Sequence, residues 1–256
     1  SKTGRLPDGM ERNKIYFASD FHLGIPDYNS SLEREKKIVR WLESIENDAV
    51  KIFLVGDLFD FWFEYNYVVP RGHVRLLGKI AQLKDKGIDV QIFTGNHDLW
   101  MYGYFEQELQ VPVHHAAIQF EFGSKKFYVG HGDGIGPGDY GFKFMKRIFK
   151  SRLAQILYGF LHPYIAFKIA RYFSYNSRRM NEEEKFMGED KEWQIIFAKE
   201  VLQKEHFDYF LFGHRHIVLD IPIGERSTFI NLGDWMIHFT YAEFDGNTCK
   251  IKYFEK

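Results

Sequence analysis

Short apolar runs alternate with amphipathic stretches along most of the chain. Between the first two apolar runs, residues 30–45 predict a helix that Ser30 and Glu33 would begin as a capping box. Residues 73–86 predict a second helix, which Gly87 would end. The runs themselves have strand length and predict buried strands at 14–18, 51–55, 90–94, 125–129 and 209–212. This β-α-β-α-β order is typical of an α/β sheet.

The pattern changes after Gly213, where apolar segments follow one another with no helix-length stretch between them. Turn residues separate segments of strand length at 217–223, 227–232, 238–244 and 249–254. We predict a mostly antiparallel half for this region. Combined with the first half, it predicts two packed sheets with helices on their outer faces.

Residues 140–180 interrupt the α/β pattern with a basic, amphipathic stretch. It contains nine Lys and Arg residues and no Asp or Glu, interleaved with large apolar side chains. We predict a helical insertion here, broken near Pro163. Its apolar face can pack on the sheets, as the faces of most amphipathic helices do. It can instead form a lid that contacts a substrate or a membrane surface, and the lack of acidic residues favours this second interpretation.

Composition limits the function classes. With 256 residues, 45% of them hydrophobic, the chain can bury one large core, and we predict a single domain over residues 14–256. Residues 1–13 are polar and predict a flexible N-terminus. A net charge of -1 argues against general attraction to nucleic acid, and the single Cys249 excludes an intrachain disulfide. No apolar run is long enough to span a membrane.

Side chains of metal-ligand type follow the predicted strands. Because the carboxyl ends of parallel strands meet at one edge of a sheet, these side chains can converge although the sequence separates them widely. Carboxylate, amide and imidazole groups suit Mn, Fe, Zn or Mg, and the absence of thiolates argues against a structural zinc site. The side chains are Asp20 and His22, then Asp57 and Asp60, then Asn96, His97 and Asp98, then His131 and Asp133, and finally His214 and His216.

In this order, the motifs D-x-H, G-D-x-x-D, G-N-H-D, G-H and G-H-x-H resemble the signature of the calcineurin-like metallophosphoesterase superfamily. The resemblance extends from about Lys14 to Tyr241, and it implies a four-layer αββα sandwich with two divalent cations bridged by Asp57. The first cation would be held by Asp20, His22, Asp57 and His216, and the second by Asp57, Asn96, His131 and His214.

The same motifs also predict which residues take part in catalysis and which orient the ligands. Two cations activate water and stabilise in-line displacement at phosphorus, so no covalent enzyme intermediate is required. His97 can donate a proton or a hydrogen bond to the leaving oxygen or the phosphate. We therefore predict His97 and Asp57 as catalytic residues. For Asp60, Asp98 and Asp133 we predict that they orient the ligands or the loop backbone.

The flanks of the insertion are similar to the UDP-2,3-diacylglucosamine hydrolases of lipid A biosynthesis. The segments F-x-S-D-F-H-L-G, G-D-L-F-D-F-W-F and H-G-D, followed by a basic helical insertion, carry this resemblance. It implies hydrolysis of the pyrophosphate to 2,3-diacylglucosamine 1-phosphate (lipid X) and UMP, with the insertion as a lid that holds the acyl chains. It also implies substrate contacts at Asp139, Ser177 and Asn181.

Three positions depart from the best-known branch of these hydrolases. Arg is expected at the position of His97, Tyr at Phe142 and Lys at Glu184. Generic phosphodiesterases and protein phosphatases of the superfamily also carry a His at the position of His97. A metal-dependent phosphodiesterase or phosphatase acting on another substrate is therefore the alternative. A non-enzymatic scaffold is disfavoured, because the chain keeps all seven ligand positions.

The resemblance also implies the cofactor, the partners and the compartment. The cofactor would be two divalent cations, foremost Mn2+, and the substrate an acylated nucleotide-sugar lipid. The insertion would contact a membrane surface, so we expect a cytoplasmic protein that is peripheral to the inner membrane. We expect neither nucleic acid nor an obligate protein as a partner.

Overall fold

The computed structural model describes residues 12–137, 140–180 and 185–255. The strands in these residues are β1 (Lys14–Ala18), β2 (Ala49–Val55), β3 (Asp89–Phe93), β4 (Val113–His114), β5 (Ile118–Phe122), β6 (Lys125–Gly130), β7 (Tyr209–Phe212), β8 (Val218–Ile223), β9 (Ser227–Leu232), β10 (Thr240–Phe244) and β11 (Cys249–Tyr253). The helices are α1 (Tyr28–Ile45), α2 (Val74–Asp85), α3 (Tyr104–Glu108), α4 (Tyr140–Phe149), α5 (Arg152–Gly159), α6 (Pro163–Met180) and α7 (Trp193–Leu202).

Two sheets form the centre of the fold. The first has the order β11-β10-β1-β2-β3-β4, in which β1 to β4 are parallel and β10 is antiparallel to β1. The second has the order β5-β6-β7-β9-β8, in which the inner pairs are parallel and both edge pairs antiparallel. The predicted α/β class with two sheets and covering helices is confirmed.

Side chains alternate between the two faces of each central strand, and this alternation builds three cores. In β1, Ile15 and Phe17 lie in the core between the sheets, whereas Tyr16 and Ala18 lie in the core shared with α1 and α2. A third core joins the outer face of the second sheet to α7. The layers are therefore helix, sheet, sheet, helix. Since both faces of the central strands are covered, these strands are apolar at successive positions.

Three details differ from the sequence predictions. The C-terminal strands do not form one antiparallel half, because β8 and β9 join the second sheet while β10 and β11 join the first. The capping box of Ser30 and Glu33 is wrong, since Asp27 is the N-cap and accepts from the backbone N–H groups of Asn29 and Ser30. The sequence prediction also omitted β4, β5, α3 and α7, whose patterns are short or lack an apolar stripe. Gly87 does end α2 as predicted, with a φ of 77°.

The insertion consists of three helices, α4, α5 and α6. Pro163 begins α6, in agreement with the predicted break, and a second break falls at Lys150 and Ser151. Helix α5 packs on the loops that follow β2 and β3, where the ring of Tyr158 contacts Phe63 and Trp100 at centroid distances of 4.9 and 4.7 Å. Among the helices that the structure describes, none is both long and apolar enough to cross a membrane.

The N-terminal boundary of the packed chain lies close to the predicted domain start. The described chain is already packed at Arg12, which is buried and donates to the carbonyl of Lys86 at 2.6 Å, two residues before the expected domain start. Residues 1–11 of the predicted flexible N-terminus lie outside the described residues. Burial raises the pKa of the Cys249 thiol well above its usual value, so this thiol is protonated and unreactive.

Candidate metal centre

All seven predicted ligands lie together, in loops at the carboxyl ends of β1, β2, β3, β6 and β7. The parallel strands of the two packed sheets end at the same edge of the sandwich, so loops that are distant in sequence meet there. The donor atoms form two groups that share Asp57.

The first group joins the loop after β1 to the loop after β7. Nε2 of His216 lies 3.1 Å from Oδ1 of Asp20 and 3.1 Å from Nε2 of His22. The other carboxylate oxygen of Asp20, Oδ2, accepts from the Ser19 hydroxyl and, at 3.0 Å, from the backbone N–H of His214. Protein donors thus hold one oxygen of Asp20 and leave the other facing the imidazoles.

The second group joins the loops after β2, β3, β6 and β7. Nε2 of His131 lies 3.2 Å from Oδ2 of Asp57 and 3.3 Å from Oδ1 of Asn96. The same Asn96 oxygen lies 2.8 Å from Nδ1 of His214. On its far side, Nδ1 of His131 donates to the Val55 carbonyl at 2.8 Å, which fixes the ring so that Nε2 points into the group.

Asp57 lies between the two groups. Its Oδ2 atom is 3.2 Å from Nε2 of His131 and 3.7 Å from Nε2 of His22. Its Oδ1 atom accepts the backbone N–H of His97 at 2.8 Å. One carboxylate oxygen therefore faces both groups of ligands, as a bridging ligand requires, while a protein donor holds the other.

The ligand backbone is strained. Five of the seven predicted ligands have a positive φ, namely 58° at Asp20, 43° at His22, 52° at Asp57, 71° at His214 and 48° at His216. The left-handed region costs a residue with a Cβ about 1 kcal/mol or more, and such strain concentrates at functional sites. Asp, Asn and His tolerate this region better than other residues with a Cβ. Because five ligand residues adopt this left-handed conformation, we infer that function requires the direction in which their side chains point.

The glycine that precedes three of the ligands is required by close backbone contacts. A Cβ at Gly56 would lie 2.6 Å from Nδ1 of His131, and one at Gly95 would lie 2.5 Å from the backbone N of Asp57. A Cβ at Gly213 would lie 2.5 Å from Oδ2 of Asp20. The recurring G before Asp57, Asn96 and His214 therefore has a steric reason.

Burial and charge set the protonation of the ligands in the metal-free chain. Burial lowers the pKa of His22 to about 3 and that of His214 to about 4, so both imidazoles are neutral near pH 7 and offer a lone pair. Burial alone would lower the pKa of His131 too, yet the carboxylates of Asp57, Asp20 and Asp133 together raise it to about 10. A cation would therefore replace a proton on His131.

Asp98 holds the backbone of the loops rather than a ligand ring. Its carboxylate is fully buried. Oδ1 accepts from the backbone N–H groups of Gly95, at 2.7 Å, and Asp57, at 3.3 Å, while Oδ2 accepts from those of Leu58, at 2.8 Å, and Phe59, at 3.3 Å. The predicted role in orienting the loop backbone fits these contacts. One of them is a direct hydrogen bond to the strained backbone of Asp57.

We expect Asp98→Asn to destabilise the fold by about 2 to 4 kcal/mol, because an amide offers only one acceptor oxygen and two buried N–H groups lose their partner. Thermal unfolding of the metal-free protein measures this loss. The same measurement on Asp245→Asn, in an exposed turn where Oδ1 accepts two N–H groups, provides a control with little expected change. Equal stabilities for the two variants would contradict the proposed role of Asp98.

His97 lies at the rim of the centre beside Asp60. Its Nδ1 atom is 3.1 Å from the backbone carbonyl of Asp60 and 3.6 Å from Oδ1 of the same residue. Because a carbonyl only accepts, Nδ1 carries a proton, and Nε2 is the ring atom left for a ligand. The ring packs edge-on against His22 with centroids 4.9 Å apart. Oδ1 of Asp60 also lies 4.0 Å from Nδ1 of His22, consistent with the predicted orienting role.

Asp133 pairs with the insertion. Lys146 of α4 forms an ion pair with the Asp133 carboxylate and donates to its carbonyl at 2.9 Å. Lys143 of the same helix donates to the carbonyl of Gly136 at 2.5 Å. These contacts of Asp133 anchor α4 on the loop that follows His131. The H-G-D motif did not indicate that Asp133 would pair with the insertion.

The three predicted substrate contacts stay predictions. Asp139 and Asn181 lie outside the described residues, and so does the side chain of Ser177, whose backbone belongs to α6.

Sequence reasoning also missed Arg34. This residue of α1 is buried and donates to the carbonyls of His22, at 3.2 Å, and Ile25. A signal was present, since Arg34 precedes Ile38 by one helical turn and so places a cation on the apolar stripe of α1.

The donor atoms fit divalent cations. Oδ1 of Asp20 is buried and accepts no hydrogen bond within the described residues. Around it and around Oδ2 of Asp57, imidazole nitrogens and oxygens lie within 4.8 Å of one another in two clusters, Asp20 with His22 and His216, and Asp57 with His131 and His214. A divalent cation between such buried acceptors would satisfy them and offset their negative charge. A further cluster joins His22, Asp60 and His97.

Comparison with known proteins gives matches over nearly the whole chain. Residues 13–218 match the family model described as calcineurin-like phosphoesterase. A UDP-2,3-diacylglucosamine hydrolase from Porphyromonas gingivalis is 38% identical over 262 residues, which cover 95% of this chain and 98% of that protein. A protein of the same name from Shewanella baltica is 23% identical over an alignment that covers 87% of this chain and 89% of that protein. A solved phosphoesterase from E. coli, Yfce, covers 94% of this chain and 93% of its own, with 13% identity and a TM-score of 0.48.

Proposed function

Since the chain belongs to the calcineurin-like phosphoesterase family, we propose that it is a metal-dependent hydrolase of UDP-2,3-diacylglucosamine. Water would cleave the pyrophosphate link and release UMP and 2,3-diacylglucosamine 1-phosphate. The observation that carries the chemistry is the convergence of two donor groups on one oxygen of Asp57. The substrate is supported by the relative from Porphyromonas gingivalis, which bears that name and aligns with 95% of this chain.

We propose that the predicted ligands form two cation sites. The first would use Asp20, His22, Asp57 and His216, and the second Asp57, Asn96, His131 and His214. When bound, the cations would supply activated water and offset the negative charge of the phosphates. The family uses a divalent metal pair. We propose Mn2+ as the ion, with Fe, Zn and Mg as the alternatives that also suit oxygen and imidazole ligands without a thiolate.

His97 would act on the leaving phosphate. Hydrolysis adds a hydroxyl to one phosphorus and leaves negative charge on the oxygen of the other. Nδ1 of His97 donates to the Asp60 carbonyl at 3.1 Å, so Nε2 of the doubly protonated ring is the atom that would donate a hydrogen bond or a proton to that oxygen. Such donation contributes about 10²- to 10⁴-fold to the rate of comparable reactions.

A groove beside the centre fits an amphiphilic phosphate ester. A cavity of about 1120 Å³ extends from Gly24 and Asp60, near the first ligand group, to α6 of the insertion. Its walls combine apolar rings such as Phe167 with the cations of Arg71 and Lys168. The cations suit phosphate oxygens and the rings suit hydrocarbon, as a lipid-linked nucleotide sugar would require.

The outer face of the insertion supports contact with a lipid surface. Leu153 and Leu157 of α5 and Phe160, the residue that directly follows this helix, are spaced so that they share one face, and they are 65%, 60% and 84% exposed. Residues 140–180 contain no acidic residue, so an anionic bilayer meets no repulsion there. Because the substrate is itself a lipid, we place the protein at the cytoplasmic face of the inner membrane, where it would bind peripherally.

Hydrolysis of UDP-2,3-diacylglucosamine in anionic vesicles by the Mn-loaded protein tests this function through release of UMP. We expect Leu157→Gln combined with Phe160→Gln to lower this release by at least about 10-fold, because burial of two such side chains in lipid contributes a few kcal/mol and about 1.4 kcal/mol corresponds to a factor of 10. Hydrolysis of bis-p-nitrophenyl phosphate in solution should be unchanged.

Tyr253→Gln, at the edge strand β11 and 46% exposed, provides a matched control that should hydrolyse the vesicle-borne lipid normally. Equal rates for the double variant and this control would remove the membrane-contact proposal. Hydrolysis of the simple ester without release of UMP would leave a phosphodiesterase or phosphatase with another substrate.

A further inference from the structure

Two buried amide side chains lie behind the second ligand group. Gln194 belongs to α7 and is 4% exposed, and Asn231 belongs to β9 and is fully buried. Neither side chain is required by the proposed chemistry, and neither belongs to one of the metal-ligand motifs. Burial of an amide costs free energy unless its donors and its acceptor are all hydrogen-bonded, so the partners of this pair carry information.

The pair binds the backbone next to two predicted ligands. Nε2 of Gln194 donates to the carbonyl of Gly213 at 3.0 Å and to that of Gly132 at 3.3 Å. Nδ2 of Asn231 donates to Oε1 of Gln194 at 2.8 Å and to the same Gly213 carbonyl at 3.0 Å. Gly132 follows His131 directly, and Gly213 precedes His214 directly.

These contacts use the full donor capacity of both amides. Each NH2 group has two hydrogens, and each hydrogen has a carbonyl acceptor. The remaining acceptor, Oδ1 of Asn231, receives the backbone N–H of Gly233 at 3.3 Å. Two carbonyls facing one nitrogen also fix which end of the Gln194 amide is the NH2. A Cβ at position 132 would collide with this NH2, so Gly132 is the residue that admits the contact.

We propose that Gln194 and Asn231 are positioning residues that set the separation of His131 and His214 for the second cation. We call the pair the amide brace. This inference rests on the ligand assignment of the proposed function. The strands β6 and β7 that lead to the two histidines are paired, and the backbone N–H of Gly213 donates to the carbonyl of His131 at 3.0 Å. The brace adds a cross-link from α7 and β9 at the point where this ladder stops.

A purely structural role makes a different prediction from a positioning role. Loss of a satisfied buried hydrogen bond destabilises the whole protein wherever it lies. Loss of a group that orients metal ligands lowers metal affinity by about 10- to 100-fold even in a folded protein. The first cation site shares only Asp57 with the second, so a positioning defect should fall on one ion and not on both.

Mn2+ titration by calorimetry, with the EPR signal of coupled Mn pairs, tests the brace. We expect the wild-type protein to bind two ions, and Gln194→Met to bind one with normal affinity and the other about 10- to 100-fold more weakly, with loss of the coupled signal. Gln194→Glu should behave in the same way, because a carboxylate cannot donate to the two glycine carbonyls. Asn231→Ser keeps one donor and should show a smaller weakening, which provides the measurement if the Gln194 variants do not fold.

Ser227→Ala is the matched control. Ser227 lies at the other end of β9, is buried, and donates to the carbonyl of Phe207 at 2.6 Å, so its loss removes a buried hydrogen bond far from the ligands. It should lower the melting temperature and leave both Mn2+ affinities unchanged. Normal binding of both ions by folded Gln194→Met would overturn the brace. A wild-type protein that binds fewer than two ions would overturn both the ligand assignment and the amide brace. A wild-type protein that binds two ions but releases no UMP would contradict only the proposed substrate.

Discussion

Asp57→Asn should abolish turnover and lower the number of tightly bound Mn2+ ions from two to one or none. Oδ2 of Asp57 is the atom that lies near Nε2 of both His131 and His22. Oδ1 is already occupied by the N–H of His97 at 2.8 Å. An amide has one oxygen, so it can satisfy that N–H or bind a cation, and its NH2 group repels cations.

The expected loss in kcat is about 10³-fold or more, comparable with the removal of a group that stabilises charge in the transition state. The fold should survive, because Asn has the same shape and its amide oxygen can still accept the N–H of His97. Release of UMP and Mn2+ titration measure the two effects together. Asp89→Asn changes a half-exposed carboxylate that pairs with Lys51, and it should retain activity and both ions. An active Asp57→Asn protein with two bound ions would refute the bridging role.

Gly95→Ala should be almost as damaging, although it adds one methyl group and removes no ligand. The new Cβ would overlap the carboxylate of Asp57 and lie 2.5 Å from its backbone N. Contacts below 3.0 Å to backbone do not occur at real Cβ atoms, so the loop that carries Asp57 or the loop that carries Asn96 must shift. Either shift separates the two ligands, and displacement of about 1 Å costs on the order of 10²-fold in rate.

Gly78→Ala is the matched control for this change. Gly78 lies in α2, and a Cβ there meets no atom within 4 Å. Since Ala favours the helix by about 1 kcal/mol relative to Gly, this variant should be slightly more stable than the wild type and equally active. Thermal unfolding and Mn2+ titration of both variants measure the difference. Normal Mn2+ binding by Gly95→Ala would show that the loops tolerate the methyl group.

The sequence determined the strands that carry the ligands. Residues 14–18 and 209–212 were predicted with the bounds that the structure has, because central strands covered on both faces are apolar at nearly every position. It also determined the identity of the ligand side chains. Each lies within a few residues of a strand end, and a short local motif is therefore enough to find it. The glycine before Asn96 belongs to such a motif, and the structure supplies its steric reason.

Tertiary structure alone decided what these loops contact. The order of the strands in the sheets is one case, since β10 pairs with β1 across more than half of the chain although β9 is its neighbour in sequence. The partners of buried polar groups are another. Asp133 pairs with Lys146 of the insertion, and the amides of Gln194 and Asn231 hold glycine carbonyls from two distant loops.

The physical reason is the range of the interactions. Apolar periodicity, turn residues and ligand chemistry act over a few residues and are written locally in the sequence. The pairing of strands and the satisfaction of buried donors depend on which surfaces pack together, and side chains far apart in sequence share that decision. The local sequence of this protein therefore specifies the ligands, and its packing specifies the groups that hold them in position.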